Sequence, residues 1–526
     1  MMTEQKNLSD DKFKVIFSCK RLRELLLIDV ASYPLIYYFM NYFITNKLYK
    51  KSESFPLSPK KHLGSFKLNS IITLLKTSLY YIKTSLEKTE IFKNGLDILF
   101  LSRDRFVDIK TENGLIKSDY LFGSIIHDIN EKYPNCKNAL FSTTFKHMPK
   151  IDDIGVHSLI QYSTPTILLR SALFGLIIYL RWKFSRSKII NYLKDNDCEY
   201  GLSLFDSFYS LRRLFYLLIF DYSLKNVLKK TNPKVIVSND DVLNLKPKIN
   251  LESTKLVIMQ SASMVETNEK FKKMFISEFP LDKLIADYFL VSGIKFKDMK
   301  KDVKDSKEIK ITGQPRYDIL YHADKIYDKE KFIKKYKINP DHKIILWTTQ
   351  CHGLSEEENI KNFKAVFETM RNLKDVTLVI KQHPGEGRRY TKMIGKYLNK
   401  YKLNAVVMPK DSDTYEQIFV CDLMMTRHST TAMEAVALNK PVIILNLSGE
   451  PDPVDYVKEG VALGVYKEED LKPTIEKLLK DDSELAKNRK RYIEKYLYKI
   501  DGKATERVVK LIGEMIEESK RKKNGN

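Results

Sequence analysis

The chain is poor in the residues that would make it flexible, disulfide-bonded or zinc-bound. With 19 glycines and 17 prolines in 526 residues, long flexible linkers are excluded. Its five cysteines, Cys19, Cys136, Cys198, Cys351 and Cys421, are odd in number, widely spaced and never form a CxxC pair, which points to a reducing compartment and away from a thiolate zinc site. The opening MMTEQKNLSDDK is polar and acidic, unlike a secretory signal. Long apolar runs are missing as well: the most apolar stretch, Ile167 to Leu180, is interrupted by Arg170 and is short for a bilayer span. No arginine-rich segment or RNA-binding signature occurs beyond the terminal ESKRKKNGN, so no nucleic-acid partner is expected.

What is present is a folded composition, 43% hydrophobic and 11% aromatic, with a net charge of +23. The length calls for two or three domains. The lysines are spread through every segment, so a general lysine bias and an anionic membrane face are both compatible with the charge. Residues 1–95 read as an N-terminal helical extension, with LRELLLIDVASYPLIYYFMNYFI and SIITLLKTSLYYIKTSL carrying apolar stripes at helical spacing. Those stripes suit packing on a neighbouring domain, or a membrane surface. A helical insertion at about 150–228 holds two basic, aromatic segments, Ile167 to Phe184 and Leu211 to Phe220. Each suits peripheral membrane contact or mutual burial.

Elsewhere strands alternate with helices. In residues 96–320, DILFLS leads to Arg103, Asp104 and Arg105, and PKVIVSNDD delivers Asn239, Asp240 and Asp241. KLVIMQSAS delivers Gln260, and KEIKITGQPRYDIL ends in the turn Thr312, Gly313, Gln314, Pro315, Arg316. Residues 321–526 repeat the pattern. KIILWTTQCHG opens onto Thr349, Gln350 and His352, VTLVIKQHPGE places Lys381, His383 and Glu386 at a strand end, and a final unit spans Asp422 to Asn446. That unit reads strand, hydroxyl-rich turn (Arg427, His428, Ser429, Thr430, Thr431), helix, strand. Its helix must begin at the carboxyl edge of a parallel sheet, a place for a phosphate. Glu434 lies one turn inside the helix, positioned for a ribose or as a first-turn dipole partner. The fold class is therefore α/β: two Rossmann-like doubly wound parallel sheets facing across a cleft, with the hinge between Thr312 and Asp341.

The series ADYFLVSG, ITGQPRYDIL, LWTTQ, IKQHPGE and RHSTTAMEAVALNKPVIILN resembles the two-domain GT-B glycosyltransferases of surface and capsular polysaccharide assembly. Their relatives include bacterial sialyl- and Kdo-transferases, CDP-glycerol glycerophosphotransferases and UDP-N-acetylglucosamine 2-epimerases. The resemblance covers about 234–515, and more weakly 96–142. It implies a cytoplasmic glycosyltransferase, peripheral on the inner face of the cell membrane, that takes a UDP-, CMP- or CDP-linked donor and a glycan or lipid-linked acceptor. It further implies that His383-Pro384 and Ser429-Thr430-Thr431 bind the leaving nucleotide, with Thr349, Gln350, Lys381, Arg427, His428 and Glu434 around it and Gln260, Gly313, Pro315 and Arg316 at the domain interface. Phosphate charge would be carried by the helix N-terminus, His383 and basic side chains, with no metal and no cofactor. The acidic-acidic-glycine motif of the sialyltransferase-like families is missing, and Asp104, Asp240 and Asp241 are the candidates for the general base. Epimerisation and glycerophosphate transfer stay open as alternative chemistries.

Overall fold

The computed structural model describes residues 10–30, 33–49, 95–102, 106–111, 114–142, 151, 154–198, 202–239, 254–261, 266–279, 286–303, 306–351, 354–403 and 405–524. The expected helix within 69–86, Asp104, Asp240, Asp241 and His352 lie outside those residues.

Strand β1 (Ile98–Ser102) is followed by a hairpin, β2 (Phe106–Thr111) and β3 (Gly114–Asp119). Then come β4 (Asn138–Ser142), β5 (Val156–Ser158), β6 (Val235–Asn239), β7 (Lys255–Met259), β8 (Ala286–Val291) and β9 (Ser306–Ile311). Seven of these form a parallel sheet in the order β9-β8-β7-β6-β1-β4-β5. A second parallel sheet comprises β10 (Lys343–Thr348), β11 (Val376–Lys381), β12 (Ala405–Met408), β13 (Leu423–Thr426), β14 (Val442–Leu445) and β15 (Leu463–Val465), in the order β12-β11-β10-β13-β14-β15. The α/β class with two doubly wound parallel sheets is the architecture that the alternating grammar predicted.

Strands covered by helices on both faces read as unbroken apolar runs, and β1 (ILFLS) is buried throughout. Its side chains alternate: Ile98 and Phe100 enter one core, Leu99 and Leu101 the other. The second of these cores receives the N-terminal helices Asp10–Ser18, Lys20–Leu26 and Leu35–Tyr49. Phe13 and Phe17 pack against Phe275, with ring centroids 4.8 and 5.0 Å apart, and Phe39 stacks on Phe205 at 4.9 Å. The stripes within 10–49 therefore serve packing on the neighbouring domain.

One element was not anticipated in the sequence, and the structure places two others. The hairpin β2–β3 is new; Thr111 pairs with Gly114, so only two residues, Glu112 and Asn113, connect its strands. Of the two basic apolar segments in the insertion, Leu211 to Phe220 turns inward: Leu214, Phe215, Leu218 and Ile219 on helix Leu211–Thr231 are all buried. Finally, helix Ala504–Asn524, which follows the second sheet in sequence, packs on the first. Val508, Ile512, Met515 and Ile516 share a core with Phe100 and Ile126, because their helical spacing puts them on one face. The returning chain passes so close to Gly293 that a Cβ there would collide with the Tyr496 backbone.

Candidate functional site

In the second sheet the strand order reverses between β10 and β13, which lie side by side with Ile345 opposite Leu423 and Trp347 opposite Met425. Loops leaving neighbouring strands at such a point part to opposite faces, and the crevice between them is where open α/β sheets take ligands. The two loops here begin at Thr348 and Thr426, and one side chain joins them. Gln350 Oε1 accepts from His428 N at 2.7 Å and Arg427 N at 3.3 Å, while its Nε2 donates to His428 Nδ1 at 3.1 Å. With Nδ1 accepting, the His428 ring carries its proton on Nε2. Thr348 and Thr431 bring their hydroxyls within 3.4 Å, and Ser429 Oγ accepts from Thr431 N at 3.3 Å. The following helix, Thr431–Ala437, is short, and its N-cap Thr430 makes no side-chain capping bond. Tyr456 fixes the turn from behind by donating to Ser429 O at 2.9 Å. Arg427 is buried; burial lowers its pKa, opposed by Glu358, Asp452 and Glu450, and its Nη2 donates to Ser448.

The end of β11 supplies the second wall. His383 Nδ1 accepts from Gly385 N at 3.1 Å, so this ring too carries its proton on Nε2. Lys381 turns away from the crevice. Its ammonium donates to the carbonyls of Pro409, Lys410 and Ser412 at 2.7–2.9 Å, tying down the loop after β12. Glu386, 3% exposed, accepts from Thr349 Oγ1 at 2.7 Å and Cys351 N at 2.6 Å, so Thr349 is engaged in joining the two loops. Burial, helped by Glu386, pushes the Cys351 thiol well above its usual range. The DSD at 411–413 is a helix cap: Asp413 accepts from Tyr415 N at 2.9 Å, and from Tyr327 Oη at 2.8 Å.

The third element is the domain interface. Arg316 leaves the turn after β9 and reaches Glu434 of the second domain, 3.5 Å away, both side chains being almost completely buried. Arg316 also donates to the hydroxyls of Tyr120 and Tyr317 and lies over both rings, at 4.9 and 4.6 Å. Burial disfavours its charge, but the oxygens of Tyr120, Tyr317, Tyr415 and Glu434 outweigh that cost and hold its pKa well above the ordinary value. Glu434 thus sits on an interdomain ion pair, a placement that neither a simple helix cap nor a surface carboxylate describes. Gln260 is a structural tie: its Oε1 accepts from Ser292 N at 2.9 Å and its carbonyl from Gln314 Nε2 at 2.7 Å. Gly313 is at φ +75, where a Cβ would crowd Arg507 and Ala504 at 3.1 and 3.2 Å, and Pro315 opens the single turn Pro315–Tyr317 that aims Arg316. Lys110 of the hairpin adds a second link across the domains, with Nζ 2.9 Å from Glu416. Of the base candidates nothing is described, but their neighbours Ser102 and Asn239 end adjacent strands, β1 and β6.

The structure therefore brings together Gln350, His428, Ser429, Thr430 and Thr431, keeps Lys381 and Gln260 for internal ties, and sets Arg316 on Glu434. The residues that sequence reasoning missed are Tyr120, Tyr317 and Tyr415. Isolated tyrosines carry no positional signal until the fold collects them.

Two doubly wound parallel sheets, each with its strand order reversing at the centre, define a GT-B-like fold. The chain belongs to the CDP-Glycerol:Poly(glycerophosphate) glycerophosphotransferase family, whose model matches residues 220–514. It is also similar, at 24% identity over 295 residues (54% of this chain and 71% of the relative), to a processive diacylglycerol beta-glucosyltransferase of Bacillus licheniformis. Among solved structures it resembles the wall teichoic acid polymerase TagF, at 11% identity and a TM-score of 0.46, covering 86% of this chain and 99% of that one. It likewise resembles the UDP-GlcNAc 2-epimerase of Neisseria meningitidis bound to UDP-GlcNAc, at 14% identity and a TM-score of 0.46, covering 80% and 99%.

Proposed function

We propose that the protein transfers glycerol phosphate, or a closely related polyol phosphate, from a CDP-linked donor to a hydroxyl of a growing, membrane-linked surface polymer. The observation that carries this reading is the Gln350–His428 clamp at the strand-order reversal of the second sheet, which fixes the His428 ring, with its proton on Nε2, in the same turn as the hydroxyls of Ser429, Thr430 and Thr431. Neutral donors fixed in advance suit a diphosphate, since they stabilise the charge that grows on the leaving phosphate without reorganising. In this reaction an acceptor oxygen attacks the outer phosphorus, a new P–O bond forms, the P–O–P bond breaks and CMP leaves. The acceptor proton passes to a base, for which Asp104, Asp240 and Asp241 remain the candidates. His383, with its proton on Nε2, donates to the departing phosphate. Phosphate charge is met by these groups rather than by a bound metal, so activity should survive dialysis against EDTA within about twofold.

The similarity to a glucosyltransferase favours a second reading, sugar transfer. The two leave different products: attack at phosphorus releases a nucleoside monophosphate, whereas attack at an anomeric carbon releases a nucleoside diphosphate. Incubation with CDP-glycerol and, separately, UDP-sugars, followed by chromatography of the nucleotide, separates them. CMP appearing only with CDP-glycerol and acceptor supports the proposal; UDP from a UDP-sugar, with no CMP from CDP-glycerol, overturns it.

A further inference from the structure

Helix Pro165–Asp195 turns Leu168, Gly175, Ile178 and Trp182 into the protein, Gly175 against Leu214 and Leu218. Its opposite face is also apolar. Leu169, Leu173, Leu176, Ile177, Leu180 and Phe184 are all exposed, Phe184 to 81% and Leu169 to 62%. At helical spacing they fall in one arc of about 100°, diametrically away from the buried face. An exposed stripe of this size on a soluble face marks a surface that something covers.

Charge identifies what covers it. The helix carries Arg170, Arg181, Lys183, Arg186, Lys188 and Lys194 against Asp195 alone. Arg170, Arg181 and Lys188 border the stripe on one side and Lys183 on the other, all four exposed. Two copies meeting through this face would set like charges against each other, on a chain that already carries +23. A bilayer with anionic headgroups reverses that penalty: aliphatic side chains enter the acyl boundary while arginines and lysines extend to the phosphates. The helix, roughly 46 Å long at 1.5 Å per residue, would lie in the membrane plane. None of the described helices is long and apolar enough to cross a membrane.

We infer that the outward face of Pro165–Asp195 is a docking surface for an anionic lipid bilayer. The test uses the full chain and two kinds of vesicle, one of equal parts phosphatidylglycerol and phosphatidylcholine and one of phosphatidylcholine alone. The wild type should float with the first, be released by high salt plus mild detergent, and bind the second at least about tenfold less. The triple substitution L173Q/I177Q/L180Q should lower partitioning onto anionic vesicles by about tenfold or more with an unchanged melting temperature, since all three side chains are exposed. R181Q/K183Q should weaken binding to anionic vesicles only and flatten its salt dependence. Wild type staying in solution, or the triple variant binding as well as wild type, overturns the inference. So does light scattering that shows a lipid-free wild-type dimer which the triple variant converts to monomer.

Discussion

The two halves of the molecule share a strand order and differ in what stands where that order reverses. In the first sheet the end of β1 is tied to Asp119, whose carboxylate accepts from Leu121 N and Phe122 N, both at 2.9 Å, and from Ser102 Oγ. In the second, the corresponding neutral amide of Gln350 binds backbone N–H groups on one side and a histidine on the other, leaving Ser429, Thr430 and Thr431 partly exposed. The strand order reverses in both sheets. On the function proposed above, the donor sits at the second reversal point, where the ring N–H of His428 and the hydroxyls of the turn can meet a phosphate.

The strongest way to break this division of labour is at the contact between the halves. Arg316→Met leaves Glu434 buried without its cation, and should cost about 3–5 kcal/mol in urea unfolding. Arg316→Met combined with Glu434→Gln should recover part of that loss. Equal stability of the single variant and wild type would show that the halves are held together elsewhere.

Next in size is His383→Ala, which should lower turnover roughly 10²-fold or more while changing donor affinity much less. Turnover within about threefold of wild type would remove His383 from the chemistry.

Gln350→Ala should be milder, about 1–3 kcal/mol, because the N–H groups of Arg427 and His428 lose their acceptor. If the second crevice takes the donor, this change should also weaken binding of CDP-glycerol in calorimetry. Unaltered affinity beside reduced stability would make Gln350 a purely structural brace.

The smallest effect belongs to the first half. Burial pushes the Asp221 carboxyl up to about 7, with Tyr38 and Lys225 opposing. Its folded-state value is raised above that of the unfolded chain, so the protonated form favours folding at low pH and that contribution is lost as pH rises through about 7. Between pH 6 and pH 7 the wild type should lose about 1 kcal/mol that Asp221→Asn retains. Parallel pH profiles for the two proteins would place the sensitivity elsewhere.

Much of the fold was legible because it is written locally. Runs such as ILFLS and VIIL announce buried parallel strands, and the unit Leu423 to Leu445 was recognisable from strand, turn, helix and strand alone. The hydroxyl turn and the HP dipeptide were visible for the same reason. The hairpin β2–β3 was equally local, its strands only two residues apart, but short strands outside the main alternation are easily passed over. Less could be said of which polar residues would be consumed by internal ties. Lys381, read as a phosphate cation, is surrounded by carbonyls of a loop some 28–31 positions away.

The sequence by itself determined the α/β class, the two alternating series and the residues available at each strand end, since periodicity and turn chemistry act over a few residues. Only the tertiary structure decided how distant side chains meet: Arg316 with Glu434, Gln350 with His428. It also decided that Leu211 to Phe220 is buried while the outer stripe of Pro165–Asp195 is not. The physical reason is that the period of an apolar pattern states which side of an element avoids water. Whether protein or something else covers that side depends on neighbours supplied from elsewhere in the chain.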